Sequence, residues 1–505
     1  MTAPRPTTLV VDSPAREETI GEVPVFDDDQ VKAAVARARA AQESWAASGV
    51  KARVAVLRRV REQLLARMDE VAEQVMRENG KAKAEAVMHE VGPLVLQLTW
   101  LLKRAPKLLA PRAPGGLFPL PRKTLIHARP RGVVGVISPW NFPFLIPFSA
   151  AVEALLAGNA VVLKPSEHTP LVALLGKSLF EAGGLPPDLL QVVTGNASTG
   201  SALLESGVDL VCFTGSVNGG RRVAQRCGEL LVPCVMELGG KAPLIVMEDA
   251  DRERAANAIV FGGFANAGQI CLGVERVYLH ESLYDDVLAR VAEKVRALRQ
   301  GDPEREEVDI GAVTMPAQLA LLQSLVDDAR AKGARVMTGG ERLSRRGRFF
   351  PPTVIADATH EMRCVREEIF GPLVPVLRYR GEDEVVRLAN DTHLGLNAYV
   401  FGRDRERARH LAAQLRAGQV IVNDVFLNYV MPELPFGGVA ASGFGRVHGD
   451  EGLLGMTVPQ VIVDDRGAYA PSQDPWWFPY EEKKTGLILT WLRRLIGILD
   501  VTTKG

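Results

Sequence analysis

The sequence predicts an α/β fold with two doubly wound parallel-sheet domains and a small β arm. Three observations carry that prediction. From residue 132 onward, short β-branched runs alternate with helical stretches, through VVGVIS, AVVLK, LLQVVTG, VDLVCFTG and VPCVMELGG. That alternation marks βαβ units and a mainly parallel sheet. A second alternating block runs from about 255 to 425, through ERVYLH, ARVMTGG, VPVLRYR, AYVFG and QVIVND. Finally, 505 residues at roughly 100–200 per domain require two or three domains.

The elements follow in order. Residues 28–110 read as helical. Asp27 to Asp29 put carboxylates where a helix N-terminus favours them. Apolar positions recur at helical spacing from Val54 to Met76, and Gly80 is a stop signal. The Pro/Gly-rich stretch Ala110–Lys123 breaks this pattern, and Thr124–Gly132 reads as an exposed strand. Within the first block, helices are expected near 148–157, 170–183, 199–206 and 218–230, the first of them amphipathic. Residues 466–481 form a Pro- and aromatic-rich connector, and a short helix at 486–501 follows it. No internal repeat or low-complexity tract is evident.

Composition narrows the function classes. Lys plus Arg number 60 and Asp plus Glu number 60, so the net charge is zero. Hydrophobic residues make up 47% and charged residues 24%, values that exclude a disordered, collagenous or disulfide-rich chain. A neutral chain has no global pull toward nucleic acid or an acidic membrane. The five cysteines (Cys212, Cys227, Cys234, Cys271, Cys364) are odd in number and contain no CxxC pair. That argues against a disulfide framework and against a Cys-rich metal site. The N-terminal residues lack the apolar run of a secretory signal. No stretch of roughly 18–20 uncharged apolar residues offers a membrane span. A cytoplasmic setting is expected.

Several residues are candidates for chemistry, each with a plainer alternative. Cys271, in FANAGQICLGVERV, is either a nucleophile or a buried inert thiol. Glu237 ends an apolar strand just before Gly239-Gly240, so its carboxylate can project into a crevice; otherwise it is a salt-bridging Glu. Asn141, in SPWNFPF, can donate to a developing oxyanion or simply form an Asx turn. FTGS (Phe213–Ser216) followed by Gly219 and Gly220 makes a strand–turn–helix unit whose amides and dipole suit a phosphate. Gly215 and Gly220 are spaced GxxxxG, which is not the usual dinucleotide fingerprint. Lys164 and Glu167 end another strand and can reach ribose hydroxyls, or be an ordinary loop pair.

Taken together these segments are far more specific. PWNFPF, GNAVVLKPSE, FTGS, MELGGKAP, FANAGQIC, EEIFGP and PFGGVAASGFGR occur in this order, with ENGKAKAEA and FFPPTV besides. The chain closely resembles the aldehyde dehydrogenase superfamily from about residue 28 to about 464. The resemblance implies a Rossmann-like NAD(P)-binding domain over 1–236 with an oligomerisation arm at about 120–132, and a catalytic domain over 237–425. A return segment with an oligomerisation strand over 426–465 and a tail over 466–505 complete the expected plan. It implies Cys271 as nucleophile, Glu237 as general base, and Asn141 with the Cys271 amide as oxyanion hole. Lys164 and Glu167 correspond to the adenosine-ribose positions, Gly215 and Ser216 lie at the pyrophosphate turn, and Trp140 matches a cofactor-site position. Glu368 and Phe370 correspond to the pair that places the nicotinamide ribose and ring. The implied reaction oxidises an aldehyde to its acid through a thiohemiacetal and a thioacyl enzyme. Glu167 should favour NAD as the cofactor, because its carboxylate repels a 2′-phosphate; NADP stays open through rotation of Glu167 and through Lys164. Acylation of CoA is a second reading, disfavoured by Glu237. A non-catalytic protein on the same scaffold is a third, opposed by the intact Cys271, Glu237 and Asn141.

The sequence also departs from the family pattern. Ala150 and Val447 stand where many members have Lys and Glu, groups associated with proton relay or cofactor-loop contacts. Ala440 stands where many have Lys. Nothing charged flanks Cys271, and Phe142, Phe144, Phe426, Tyr429 and Phe436 are candidates for an apolar tunnel or for plain core. The expected substrate is therefore a hydrophobic aldehyde, aliphatic or aromatic. Thr124–Gly132 and Val458–Asp465 resemble the family's oligomerisation strands, so a homodimer or homotetramer is expected. Three of the six tryptophans (Trp476, Trp477, Trp491) lie in the last thirty residues. Ile488, Trp491, Leu492, Leu495 and Leu499 share one face of the final helix. That helix is too short and too charged to span a bilayer. Docking on its own or a partner subunit, peripheral membrane contact, and a lid over the substrate mouth remain open for it.

Overall fold

The computed structural model describes residues 7–114, 122–465 and 477–502. Residues 466–476 of the connector, with Trp476, and the Leu499 side chain lie outside the described residues. The chain divides into two units. One spans Met1–Ala110 and Ala128–Val458; the other spans Pro111–His127 and Pro459–Gly505.

In the first unit, a hairpin of Thr8–Ser13 and Glu18–Pro24 precedes the helices Asp28–Ala47, Gly49–Ala66, Met68–Asn79, Lys83–Ala86 and Gly92–Leu108. Asp27 caps the first with a full capping box: its side chain accepts from Gln30 N, and Gln30 reaches back to the Asp27 amide. Gly80, at φ 91°, closes the third in the left-handed conformation that glycine adopts without penalty.

Two sheets follow. Across the first the strand order is Gly443–Phe444, Cys234–Glu237, Leu210–Thr214, Val133–Ile137, Ala160–Lys164, Leu190–Val192. All neighbours are parallel except the two-residue return strand Gly443–Phe444. The chain moves outward one way from Val133–Ile137, then returns to its other side. That reversal opens a crevice at the carboxyl ends of Val133–Ile137 and Leu210–Thr214, where doubly wound sheets bind ligands. Across the second sheet the order is Arg335–Thr338, Thr353–Ala356, Leu373–Tyr379, Val274–His280, Ala242–Val246, Asn397–Phe401, Gln419–Val422. It too is parallel apart from one edge strand, Arg335–Thr338. Each sheet sits in its own apolar core.

The helix Leu145–Ala157 differs from expectation. It is not amphipathic: every residue except Ile146 is buried. The helices Gly49–Ala66 and Gly92–Leu108 and the strands Val133–Ile137 and Ala160–Lys164 all pack against it, so no face is left for water. Phe144, just before it, belongs to this core, 4.9 Å from the Phe148 ring, and not to an apolar tunnel.

Arg122–Pro130 pairs with Thr457–Asp465 as a two-stranded sheet, most of it in the second unit. The closing helix is longer than expected, Glu482–Thr502. Its apolar residues are not confined to one face: Ile488 and Leu495 are half-buried, whereas Leu487, Leu489, Trp491, Leu492 and Ile496 are exposed. Among the described residues no helix is long and apolar enough to cross a membrane.

Candidate active site

Cys271 lies on a loop between the helix Arg252–Phe264 and the strand Val274–His280. Asn266, Ala267 and Gly268 enter that loop with φ of 49°, 54° and 71°. Three successive left-handed residues, two of them with a side chain, store strain that the surroundings must hold. Gly268 has no substitute, because a Cβ there would come 2.1 Å from the Gly371 carbonyl. Buried partners hold the rest. Asn266 N donates to Glu85 Oε1 at 2.6 Å, and Asn266 Nδ2 donates to the Asn141 and Gln269 carbonyls at 3.0 and 3.2 Å. On the far side of the cysteine, Tyr399 OH donates to the Leu272 carbonyl at 2.6 Å.

Asn141 is tied to the same loop. Its Nδ2 donates to the Gln269 carbonyl at 3.0 Å, two residues before Cys271, and the second hydrogen of that amide is left for another acceptor. Its own carbonyl accepts from Lys81 Nζ at 2.9 Å. Lys81 is fully buried and pairs with Glu90 at 2.6 Å, 4.2 Å above the Phe142 ring. The other Glu90 oxygen accepts from Phe144 N and Leu145 N at 3.1 and 2.8 Å, anchoring the start of the helix behind Asn141. Lys81, Glu85 and Glu90 were not singled out from the sequence. The usable signal was ENGKAKAEA, three of whose four charged residues (Glu78, Lys81 and Glu85) are buried.

Glu237 ends its strand as expected and is 6% exposed. Neither carboxylate oxygen has a hydrogen-bond partner among the described residues. Burial pushes its carboxyl well above the usual range, against a weaker pull from Arg446. The return strand fixes its position: Gly443 pairs with Glu237, and Leu238 N donates to the Ser442 carbonyl at 3.0 Å.

Three cavities meet at Cys271. The first is lined by Pro139, Trp140, Asn141, Thr214, Gly215, Ser216, Glu237, Gly239, Glu368 and Phe370 among others. Trp140 and Phe370 meet edge to face, with ring centroids 5.4 Å apart. A Glu368 oxygen accepts from Gly240 N at 2.8 Å, and burial beside Glu275 pushes its carboxyl up to about 8. Ser216 caps the helix Val217–Leu230, accepting from Gly219 N at 3.1 Å. A Cβ on Gly215 would come 2.9 Å from the tip of the Phe213 ring, which would have to shift to admit a side chain. A glycine turn at a capped helix start, with the Glu368 carboxyl on the same cavity wall, fits a dinucleotide. Lys164 and Glu167 pair at 3.3 Å but lie outside this cavity.

The second cavity is lined by His89, Pro93, Phe142, Leu145, Ile146, Ile270, Cys271, Leu272, Phe426, Tyr429 and Val430. No lining residue carries a charge at neutral pH: burial, with Lys81 nearby, pushes the His89 imidazole down to about 4. The third cavity lies on the Glu237 side and includes Ser149, Ala150, Phe213, Thr214, Glu237, Cys271, Tyr429, Phe436 and Val447. Phe436 therefore faces Glu237 and not the apolar cavity; its ring stands 4.8 Å from Tyr429. Burial and the carboxylates Glu368 and Glu237 push the Cys271 thiol up to about 12, so the resting group is a thiol.

Comparisons with known proteins identify the family. The aldehyde dehydrogenase family model matches residues 2–462. A Methylomonas protein named "4,4'-diapolycopene aldehyde oxidase" is 40% identical, over 94% of this chain and 88% of its own length. A Mycolicibacterium smegmatis protein named "Putative succinate-semialdehyde dehydrogenase [NADP(+)]" is also 40% identical, over 88% of this chain and 86% of its own. Among solved structures, Mycobacterium tuberculosis aldehyde dehydrogenase complexed with NAD+ matches with a TM-score of 0.87 at 33% identity. That match covers 92% of this chain and 96% of the other. The chain belongs to the aldehyde dehydrogenase family and is an NAD(P)-dependent enzyme of it.

Proposed function

Starting from that family membership, we propose that this enzyme oxidises a hydrophobic aldehyde to the carboxylic acid. The observation that carries the reading is the uncharged cavity at Cys271, walled by Phe142, Ile146, Ile270, Leu272 and Phe426. The two 40% identical relatives are named for opposite substrates, a long apolar aldehyde and a short anionic one. A carboxylate entering this cavity finds no cation, and an unpaired buried charge costs several kcal/mol. An alkyl or aryl tail loses only contact with water.

The chain's own groups supply the steps. The first half of the chain, through its capped turn at Gly215 and Ser216, holds the dinucleotide, with Lys164 and Glu167 on its adenosine ribose. Burial raises the Glu167 carboxyl, but Lys164, its own backbone and His168 together hold it below its usual value, so it meets the ribose as an anion and favours NAD. Glu368 and Phe370 place the nicotinamide end beside Cys271. A bound nicotinamide dinucleotide supplies the hydride acceptor. Cys271 Sγ bonds to the aldehyde carbon as its thiol proton leaves to solvent, and the second Asn141 Nδ2 hydrogen with the Cys271 amide stabilises the oxyanion. After hydride loss a thioacyl group remains on Cys271. Glu237, made more basic by burial, takes a proton from water, and the thiolate leaves as the acid forms.

A panel of aldehydes assayed by NADH absorbance tests the substrate class. Each added methylene, worth about 0.8 kcal/mol, should raise kcat/KM about fourfold until the cavity is filled. Hexanal should exceed succinate semialdehyde by roughly 100-fold; the reverse order overturns the proposal. Acyl-CoA released when CoA is added would favour the CoA-dependent reaction.

A further inference from the structure

Ser149 and His448 form a buried pair on the wall of the Glu237 cavity. Ser149 Oγ lies 3.0 Å from His448 Nε2, and the two residues are 299 positions apart in the chain. Ser149 lines the cavity that also holds Glu237 and Cys271. About 40 Å³ there is open to the centre of a water molecule, more than the roughly 10–15 Å³ that one water needs. The neighbouring walls are apolar at Ala150 and Val447, so Ser149 is one of few polar groups facing Glu237.

The pair is built with care around the histidine. His448 has a φ of 59°, rare for a non-glycine residue. Its backbone N donates to Glu153 Oε1 at 3.0 Å, and Gln97 Nε2 donates to the same oxygen at 2.9 Å. Glu153 lies one turn beyond Ser149 on the helix Leu145–Ala157, among apolar neighbours and with no exposure. Around the ring stand Tyr429 at 4.8 Å and Phe436 at 6.3 Å. His448 Nδ1 is buried without a partner among the described residues. A bare acceptor is tolerated better than a bare N–H, which assigns the proton to Nε2. Nε2–H then donates to Ser149 Oγ and leaves the Ser149 hydroxyl hydrogen free to point into the cavity.

We propose that Ser149, oriented by His448, is a positioning residue for the water that hydrolyses the thioacyl enzyme. The inference rests on the hydrolytic reading of Glu237 given above. The water gives one hydrogen to Glu237 and directs one lone pair at the thioacyl carbon. Its other lone pair accepts from Ser149 Oγ. The new C–O bond forms, the bond from carbon to Cys271 Sγ breaks, and the proton rests on Glu237. Ser149 neither gains nor loses a proton; it fixes the direction of attack.

Decay of the acyl group on Cys271, followed by quench and mass spectrometry of the NAD-loaded enzyme, tests this directly. Ser149→Ala should slow decay about tenfold, the value of one lost neutral hydrogen bond. The hydride-transfer phase, read as the first turnover of NADH, should stay within about twofold. Ser149→Thr should restore the decay, and His448→Ala should slow it less than Ser149→Ala. Wild-type decay in Ser149→Ala, with Glu237→Gln still slow, overturns this inference and leaves the proposed function standing. Wild-type decay in Glu237→Gln overturns the hydrolytic reading itself. Equal slowing of both phases in Ser149→Ala, with a lowered Tm, shows a purely structural role and also overturns the inference.

Discussion

The apolar cavity and the Glu237 cavity share Ile146, Cys271 and Tyr429 and differ in the rest of their walls. One is walled by Phe142, Ile270, Leu272 and Phe426 and contains no charged group at neutral pH. The other carries Glu237, Ser149 and Thr214 among apolar walls. On the proposed mechanism the contrast separates two needs of one reaction. Holding an apolar tail requires dry surface, and activating water requires a few unsatisfied polar atoms in a dry place, where each acts strongly. Both Glu237 oxygens lack partners among the described residues, and that is costly for stability. Such a cost is retained where chemistry needs it.

The sharpest way to break the comparison is to remove what the cavities share. Cys271→Ala should lower aldehyde oxidation by roughly 10⁴-fold, read as NADH formation, while dinucleotide binding persists by fluorescence titration. Next, Glu237→Gln should lower steady turnover by about 10²–10³-fold and leave a first turnover of NADH visible in stopped flow. Loss of that first turnover would merge the two roles.

Smaller changes sharpen each side. Val430→Arg, at the exposed rim of the apolar cavity, should move the ratio of kcat/KM toward succinate semialdehyde by about tenfold. The thiol is set by burial and by two carboxylates, Glu368 and Glu237, and sits at about 12. Below that value its thiolate fraction rises about tenfold per pH unit. Alkylation of the cofactor-free enzyme by iodoacetamide should therefore keep accelerating from pH 7 to 10; a plateau near pH 8 contradicts that. Last, Tyr399→Phe removes the bond to the Leu272 carbonyl and should cost about 1 kcal/mol, read as a lower Tm.

Much of this was legible in the chain. β-branched runs and turn glycines located the strands, because backbone pattern is local. Glu237 stood out as a carboxylate closing an apolar run. Packing was less legible. The helix Leu145–Ala157 looked two-faced in sequence, yet neighbours cover it on every side. Phe144 and Phe436 are as aromatic as Phe142 and Phe426, and only the backbone direction decides which cavity each meets. Ser149 and His448 were invisible as a pair because no spacing rule reaches across 299 residues.

The return strand at Gly443–Phe444 has a consequence for how the enzyme is made. It closes the edge beside Glu237, and Ser442 Oγ donates to the Gly239 carbonyl at 2.6 Å. A ribosome adding about 5–20 residues per second needs roughly 10–40 s to travel from one strand to the other. For most of that interval Cys271 has been made while the strand that frames Glu237 has not.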